Sequence, residues 1–150
     1  MVKRTASTAV VLALVFGLAG CESAVSDDSA GDDARLTQQD WVAQSIAGKP
    51  VVLIGRVTLS FAEGRVSGRG GCNLYSGTVE YGKGAIKIGP LISTKMACVD
   101  NGLMQQESAY LNSLQGAERY AVGADGKLTI ATKTGAIVYD GAPRQVRPEN

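Results

Sequence analysis

Only one stretch of this chain places apolar residues at helical spacing over several turns. It stands among short runs that alternate with period two. Leu103, Glu107, Tyr110, Leu111 and Leu114 share one face, Asp100 or Asn101 can cap the start, and Gly116 can stop the end. The spacing predicts a helix over Leu103 to Leu114. Elsewhere Val57, Leu59 and Phe61 alternate with Thr58 and Ser60, the pattern of a half-buried strand. Glu63-Gly64 turns that strand back into Arg65 to Gly68. Tyr75 to Tyr81 and Ala85 to Ile88 form a second hairpin around Gly82-Lys83-Gly84. Glu118 to Val122, Lys127 to Thr132 and Ala136 to Asp140 read as a meander with turns at Ala124-Asp125-Gly126 and Lys133-Thr134-Gly135. A doubly wound parallel sheet needs a helix between successive strands, so this pattern excludes it. The fold class is mainly β, of the α+β kind, with one packed helix.

Other stretches are less distinct. Thr37-Gln38-Gln39-Asp40 resembles a helix cap, which predicts a single turn followed by a strand from Trp41 to Ile46, although a short helix fits nearly as well. Trp41, the one tryptophan, is expected to anchor the core. Gly48-Lys49-Pro50 is a turn. Val51 to Ile54 reads as a short strand or an extended link, and Leu91 to Cys98 as extended chain. Gly68, Gly70 and Gly71 argue for a bulge or a close crossing of backbones.

The first residues look like a targeting segment. Lys3 and Arg4 precede an apolar run, Ala9 to Leu18, too short to cross a bilayer core of about 30 Å. Leu18-Ala19-Gly20-Cys21 resembles the bacterial lipobox. That resemblance implies a signal peptide at 1–20, cleavage before Cys21 and acylation of Cys21, so the expected membrane contact is the lipid on Cys21. Several acyl chains anchor a protein stably where one does not. Glu22 after the cysteine, in place of aspartate, implies the outer membrane, on its periplasmic face. From 21 to 35 the composition is Ser, Ala, Asp and Gly, which predicts a disordered acidic tether. The folded domain is expected over 36–143 and a polar tail over 144–150.

Charge excludes one large class. Removing Lys3 and Arg4 from 15 basic residues leaves the rest near neutral against 14 acidic ones. A nucleic-acid footprint needs clustered Lys and Arg, and the short run Arg65 to Arg69 reads as a solvated hairpin edge. With Cys21 used by lipid, Cys72 and Cys98 remain as an even pair, read as a disulfide in an oxidising compartment. The alternative is a metal site, but two thiols without histidine or a CxxC pair do not complete a tetrahedron. The same absence of histidine excludes a Ser-His-Asp triad. Gly68-x-Gly70-Gly71 lacks the lysine and Ser/Thr of a phosphate loop. No catalytic residue, metal or cofactor is expected.

Taken together, Trp41 with Ile46, Gly48 and Pro50, then Gly70-Gly71-Cys72-Asn73-x-Tyr75-x-Gly77, Thr94-x-Met96-Ala97-Cys98, and Glu107, Tyr110, Leu111 and Leu114 resemble the META domain family, the HslJ-like heat-inducible envelope proteins. The likeness covers about Leu36 to Gly141. Lys95 departs from the arginine common in the pattern. The resemblance implies a mixed or antiparallel sheet curled into a partial barrel with one helix at its side. It also implies a part in envelope stress tolerance and no established reaction. Asn73, Tyr75, Thr94 and Glu107 are the polar positions of the pattern. They read either as a structural cluster that satisfies buried backbone or as a small binding site at the open end of the sheet. The expected function is a monomeric, lipid-anchored, non-catalytic module that contacts another envelope protein. The alternatives are a partial barrel holding a small apolar or amphipathic ligand, and an inhibitor of a secreted enzyme.

Overall fold

Alternating residues become the two faces of a barrel wall. The computed structural model describes residues 29–99 and 101–144. Cys21, the leader at 1–20, the tether up to residue 28, Asp100 and the tail from 145 lie outside the described residues. Strand β1 (Gln39–Ile46) points Trp41, Ala43 and Ile46 inward, and a register shift between Ala43 and Ser45 restores the inward phase for Ile46. After the two-residue β2 (Lys49–Pro50), β3 (Thr58–Ala62) buries Leu59 and Phe61, and β4 (Arg65–Arg69) buries Val66. β5 (Leu74–Gly82) buries Tyr75 and Val79, and β6 (Ala85–Ile88) buries Ile86 and Ile88. The short β7 (Ile92–Ser93) pairs with β5. Then β8 (Ala117–Val122), β9 (Lys127–Thr132) and β10 (Gly135–Pro143) form the meander and bury Tyr120, Val122, Leu128, Ile130, Ile137 and Tyr139.

All the pairings are antiparallel. The order runs β10-β9-β8-β6-β5-β4-β3-β1-β2, and β10 also pairs with β1. The mainly β sheet curled into a barrel is therefore borne out, and it goes further than a partial barrel. Register from Gln39↔Pro143 to Ile46↔Ile137 closes a ring of eight strands. The thinnest seam is β6 to β8, joined at Ala85↔Arg119 and by the Tyr120 N–H donating to the Gly84 carbonyl at 2.9 Å.

Each mouth of the barrel is covered by a helix. The expected helix over Leu103 to Leu114 is α2 (Asn101–Gln115). It covers the end where Ser113 and Thr134 hydroxyls meet at 2.7 Å and the Lys133 N–H donates to the Gly116 carbonyl at 3.1 Å. The opposite end is covered by α1 (Ser29–Gln38), and this corrects the disordered tether expected through Arg35. Among its described side chains, the apolar contribution is the fully buried Leu36. Polar groups do the rest. Asp32 accepts from the Val122 N–H at 3.1 Å, Asp33 accepts from the Tyr120 hydroxyl, and Arg35 donates to the Val122 and Gly123 carbonyls at 3.3 and 3.0 Å. Asp32 and Asp33, two of the acidic residues that suggested a solvated tether, are helix side chains used as acceptors. The turn expected at Thr37 to Asp40 is absent, because α1 runs to Gln38 and β1 begins at Gln39. Val51 to Ile54 is not a strand: Val51 is buried, while Val52, Leu53 and Ile54 stand out of a loop, 43 to 75% exposed.

The barrel interior is a packed core. Trp41, Leu59, Phe61, Leu128, Ile130, Ile137, Tyr139 and Tyr110 of α2 are fully buried. Each such side chain contributes on the order of 1.5–3 kcal/mol by leaving water. Trp41 is the expected anchor, and its indole N–H donates to the Leu36 carbonyl at 3.0 Å, tying α1 to β1.

Candidate functional site

The glycine pair before Cys72 lets the backbone press against α2. A Cβ on Gly70 would lie 2.7 Å from Glu107 Cγ, and Gly71 takes a φ of +138° beside Leu103. The Gly70 N–H closes the turn by donating to the Asn73 carbonyl at 2.8 Å. This brings two backbone N–H groups onto one carboxylate oxygen: Glu107 Oε2 accepts from Cys72 at 2.9 Å and from Asn73 at 2.6 Å. Glu107 Oε1 accepts from Asn73 Nδ2 at 2.7 Å. Glu107 is only 5% exposed, so these charge-assisted bonds replace the water it has lost.

Asn73 continues the network into the chain leading to Cys98. Its Oδ1 accepts from the Thr94 hydroxyl at 2.8 Å and the Met96 N–H at 2.7 Å, and its Nδ2 also donates to the Met96 carbonyl at 3.4 Å. A side-chain amide has two acceptor sites and two donors, and all four are engaged. Thr94 Oγ1 in turn accepts from the Leu74 N–H at 3.2 Å. The disulfide Cys72–Cys98 runs beside these bonds, with 6.1 Å between the Cα atoms, an ordinary span for such a bridge. Three segments distant in sequence are thus joined by one covalent bond and one saturated polar cluster.

Tyr75 belongs to a second cluster, inside the barrel. Its hydroxyl donates to the Thr58 carbonyl at 2.8 Å, so it accepts from Tyr110 at 2.7 Å, which in turn accepts from Tyr139 at 3.2 Å. The Thr58 carbonyl is open to this approach because Gly68 faces it without a side chain; a Cβ there would lie 2.0 Å away. All three phenols are buried. Burial is the main reason that each resists ionisation: Tyr110 is pushed up to about 12, and Tyr75 and Tyr139 well above their ordinary value, with the neighbouring Tyr110 adding to both.

Of the sequence-predicted positions, the fold brings Asn73, Thr94 and Glu107 into one cluster beside Cys72–Cys98, and sends Tyr75 to another. Cys21 lies outside the described residues. Sequence reasoning missed Tyr110 and Tyr139 as partners of Tyr75. The signal available was their inward phase on α2 and β10, but nothing local shows that three inward phenols converge. It also missed a groove of about 750 Å³ on the outer face of β3, β4, β5 and β7, lined by Ser60, Ser67, Arg69, Leu74, Ser76 and Ile92 among others. Among the described residues, no cluster of three or more His, Cys, Asp or Glu side chains is placed to hold a metal.

The profile of the META domain matches residues 34–142. No curated protein matches the chain. Among solved structures, an NMR structure of a protein from Burkholderia xenovorans shares the fold with a TM-score of 0.63, at 24% identity over 95% of this chain and 100% of that one. A second NMR structure of a protein superposes with a TM-score of 0.59, at 27% identity over 71% of this chain and 92% of that one.

Proposed function

Because the chain belongs to the META domain family, we propose that it is a non-catalytic, lipid-anchored protein of the bacterial envelope whose barrel works as an interaction module in stress tolerance. The observation that carries this reading is the saturation of its polar cluster. Every donor and acceptor of the Asn73 side chain, and both oxygens of Glu107, are committed to the backbone, to the Thr94 hydroxyl or to each other. Such groups cross-link a scaffold, and a scaffold of this kind acts through its outer surface. A ligand held inside the barrel would have to displace Trp41, Phe61 and Tyr139, so the interior-ligand alternative finds no support in the packing. Nothing in the geometry favours an enzyme inhibitor over an interaction module. The anchor rests on Leu18-Ala19-Gly20-Cys21 and the basic and apolar residues before it.

The test is metabolic labelling of the full chain with an alkyne fatty acid, followed by fractionation of the envelope. The label is expected on the wild-type protein in the outer-membrane fraction, and Cys21→Ser is expected to lose both label and membrane association. Retention of both in Cys21→Ser would remove the anchor. In-cell crosslinking with and without heat stress then tests the module, which requires a defined crosslinked partner that disappears in Cys21→Ser.

A further inference from the structure

The groove on the outer face of β3, β4, β5 and β7 has a chemistry that the barrel core does not require. Strand register aligns Ser60 with Ser67, Ser67 with Ser76, and Ser76 with Ile92 across four strands. Beside that row Arg69 lies opposite Leu74. Leu74 and Ile92 are 53% and 70% exposed, unusual for large aliphatic side chains on a sheet. The Arg69 backbone N–H donates to Thr58 Oγ1, but its guanidinium has no acidic partner among the described residues. The volume of about 750 Å³ is that of a site for a small organic molecule.

We propose that this groove binds a single-chain anionic amphiphile, a fatty carboxylate, with its head on Arg69 and its chain against Leu74 and Ile92. Arginine recognises a carboxylate with two parallel charge-assisted hydrogen bonds. The floor decides between an acyl chain and a peptide. Backbone N–H and C=O groups of β3, β4 and β5 are already paired within the sheet, and β7 is paired on its β5 side. A peptide laid over this face would find no free backbone partners on β3, β4 and β5 and only a serine row for its amides, two of whose hydroxyls already bond Asp40 and Arg65, whereas an acyl chain carries no amide to satisfy. Removal of the exposed Leu74 and Ile92 surface from water drives the binding, and the guanidinium sets the sign of the head group. The site is independent of acylation at Cys21.

The test uses the full chain carrying Cys21→Ser, so that no acyl chain of its own competes. Dansylaminoundecanoic acid serves as the fluorescent probe. Saturable binding is expected, with displacement by laurate and not by dodecyltrimethylammonium, which has the same chain length and the opposite charge. Arg69→Gln should weaken the probe about ten-fold or more, and Leu74→Ser with Ile92→Ser should abolish saturation. These side chains stand at the surface, and an unchanged melting midpoint will show that the variants fold. Absence of saturable binding overturns the proposal. So does equal displacement by both surfactants, or binding that survives all three substitutions and therefore lies elsewhere. Stronger displacement by an acidic peptide than by laurate would overturn the acyl assignment in favour of a protein partner.

Discussion

The carboxylate of Glu107 and the side-chain amide of Asn73 meet at 2.7 Å; Glu107 takes its other hydrogen bonds from backbone, and Asn73 shares its own between backbone and the Thr94 hydroxyl. Glu107 holds the N–H groups of Cys72 and Asn73, while Asn73 holds Met96 on both its N–H and its carbonyl. The pair therefore fastens α2, the Gly70–Asn73 turn and the chain at 94–96 together. The pair adds to the Ser113–Thr134 and Tyr110 bonds that also hold α2 over the barrel mouth.

Glu107→Ala should destabilise the fold by roughly 3–5 kcal/mol, because three buried donors lose their acceptor at once. Glu107→Gln keeps the shape but presents an amide where Asn73 Nδ2 or the backbone needs an oxygen, and should cost about 1–3 kcal/mol. Urea unfolding checks both. Equal stability of Glu107→Ala and wild type would mean that the cluster holds nothing.

Removing the disulfide with Cys72→Ala and Cys98→Ala opens a loop of sequence separation 26. The chain-entropy argument gives about 3.5 kcal/mol for such a loop, or a fall in melting midpoint of about 10 °C for a domain of this size. Calorimetry of the oxidised wild type against the double variant measures it. An unchanged midpoint would show that the polar cluster alone closes the loop.

The Tyr75, Tyr110 and Tyr139 cluster makes the fold sensitive to alkali. Their folded-state ionisation is raised above the unfolded value of about 10, to about 12 for Tyr110 and well upward for Tyr75 and Tyr139. Their protonated forms therefore add stability that is fully present below pH of about 10 and is lost as pH rises through the folded values. Stability should be level in this respect up to about pH 10 and fall steeply towards 12. Tyrosinate absorbance should rise for these residues together with unfolding, not before it.

Direction in the tyrosine chain can be read from substitutions. Tyr75→Phe removes the donor to the Thr58 carbonyl and the acceptor of Tyr110, and should cost about 1–3 kcal/mol. Tyr139→Phe removes only the terminal donor and should cost about 1 kcal/mol. The reverse order in thermal unfolding would mean that the chain runs the other way.

Leu36→Ala should cost about 2–4 kcal/mol, because Leu36 is the one fully buried apolar side chain among the described residues of α1. Asp33→Asn should cost less, since Asp32 and Arg35 still hold the same strand end. Chemical denaturation of the two variants compares them. A cost near zero for Leu36→Ala would return the segment to the tether that its composition suggested.

Much of the wall was legible in the sequence because alternation reports burial residue by residue. Leu59 and Phe61, Ile86 and Ile88, and Leu128 and Ile130 all face inward where their phase places them. Asn73, Thr94 and Glu107 stood out as polar positions of the META pattern, and the fold gathers them. What stayed hidden depends on partners far away in the chain. Helix α1 has too little apolar surface to announce itself, and its hold comes from β8, some ninety residues on. The Val51–Ile54 run has the composition of a strand, yet β1 pairs with β2 and then β3 on that side and leaves the run as a loop between them. Pairing of β1 with β10 has no local signature at all, because a register between remote strands is not written in either of them.

Pairing of β1 with β10 makes the first and last strands of the domain neighbours. A growing or translocating polypeptide can pair one edge of Gln39–Ile46 with β2 and β3 early, but the other edge has no partner until Gly135–Pro143 arrives, so the ring stays unfinished until that strand is delivered. Closure is thereby timed to delivery of β10, and cutting back into either β1 or β10 unzips the same joint.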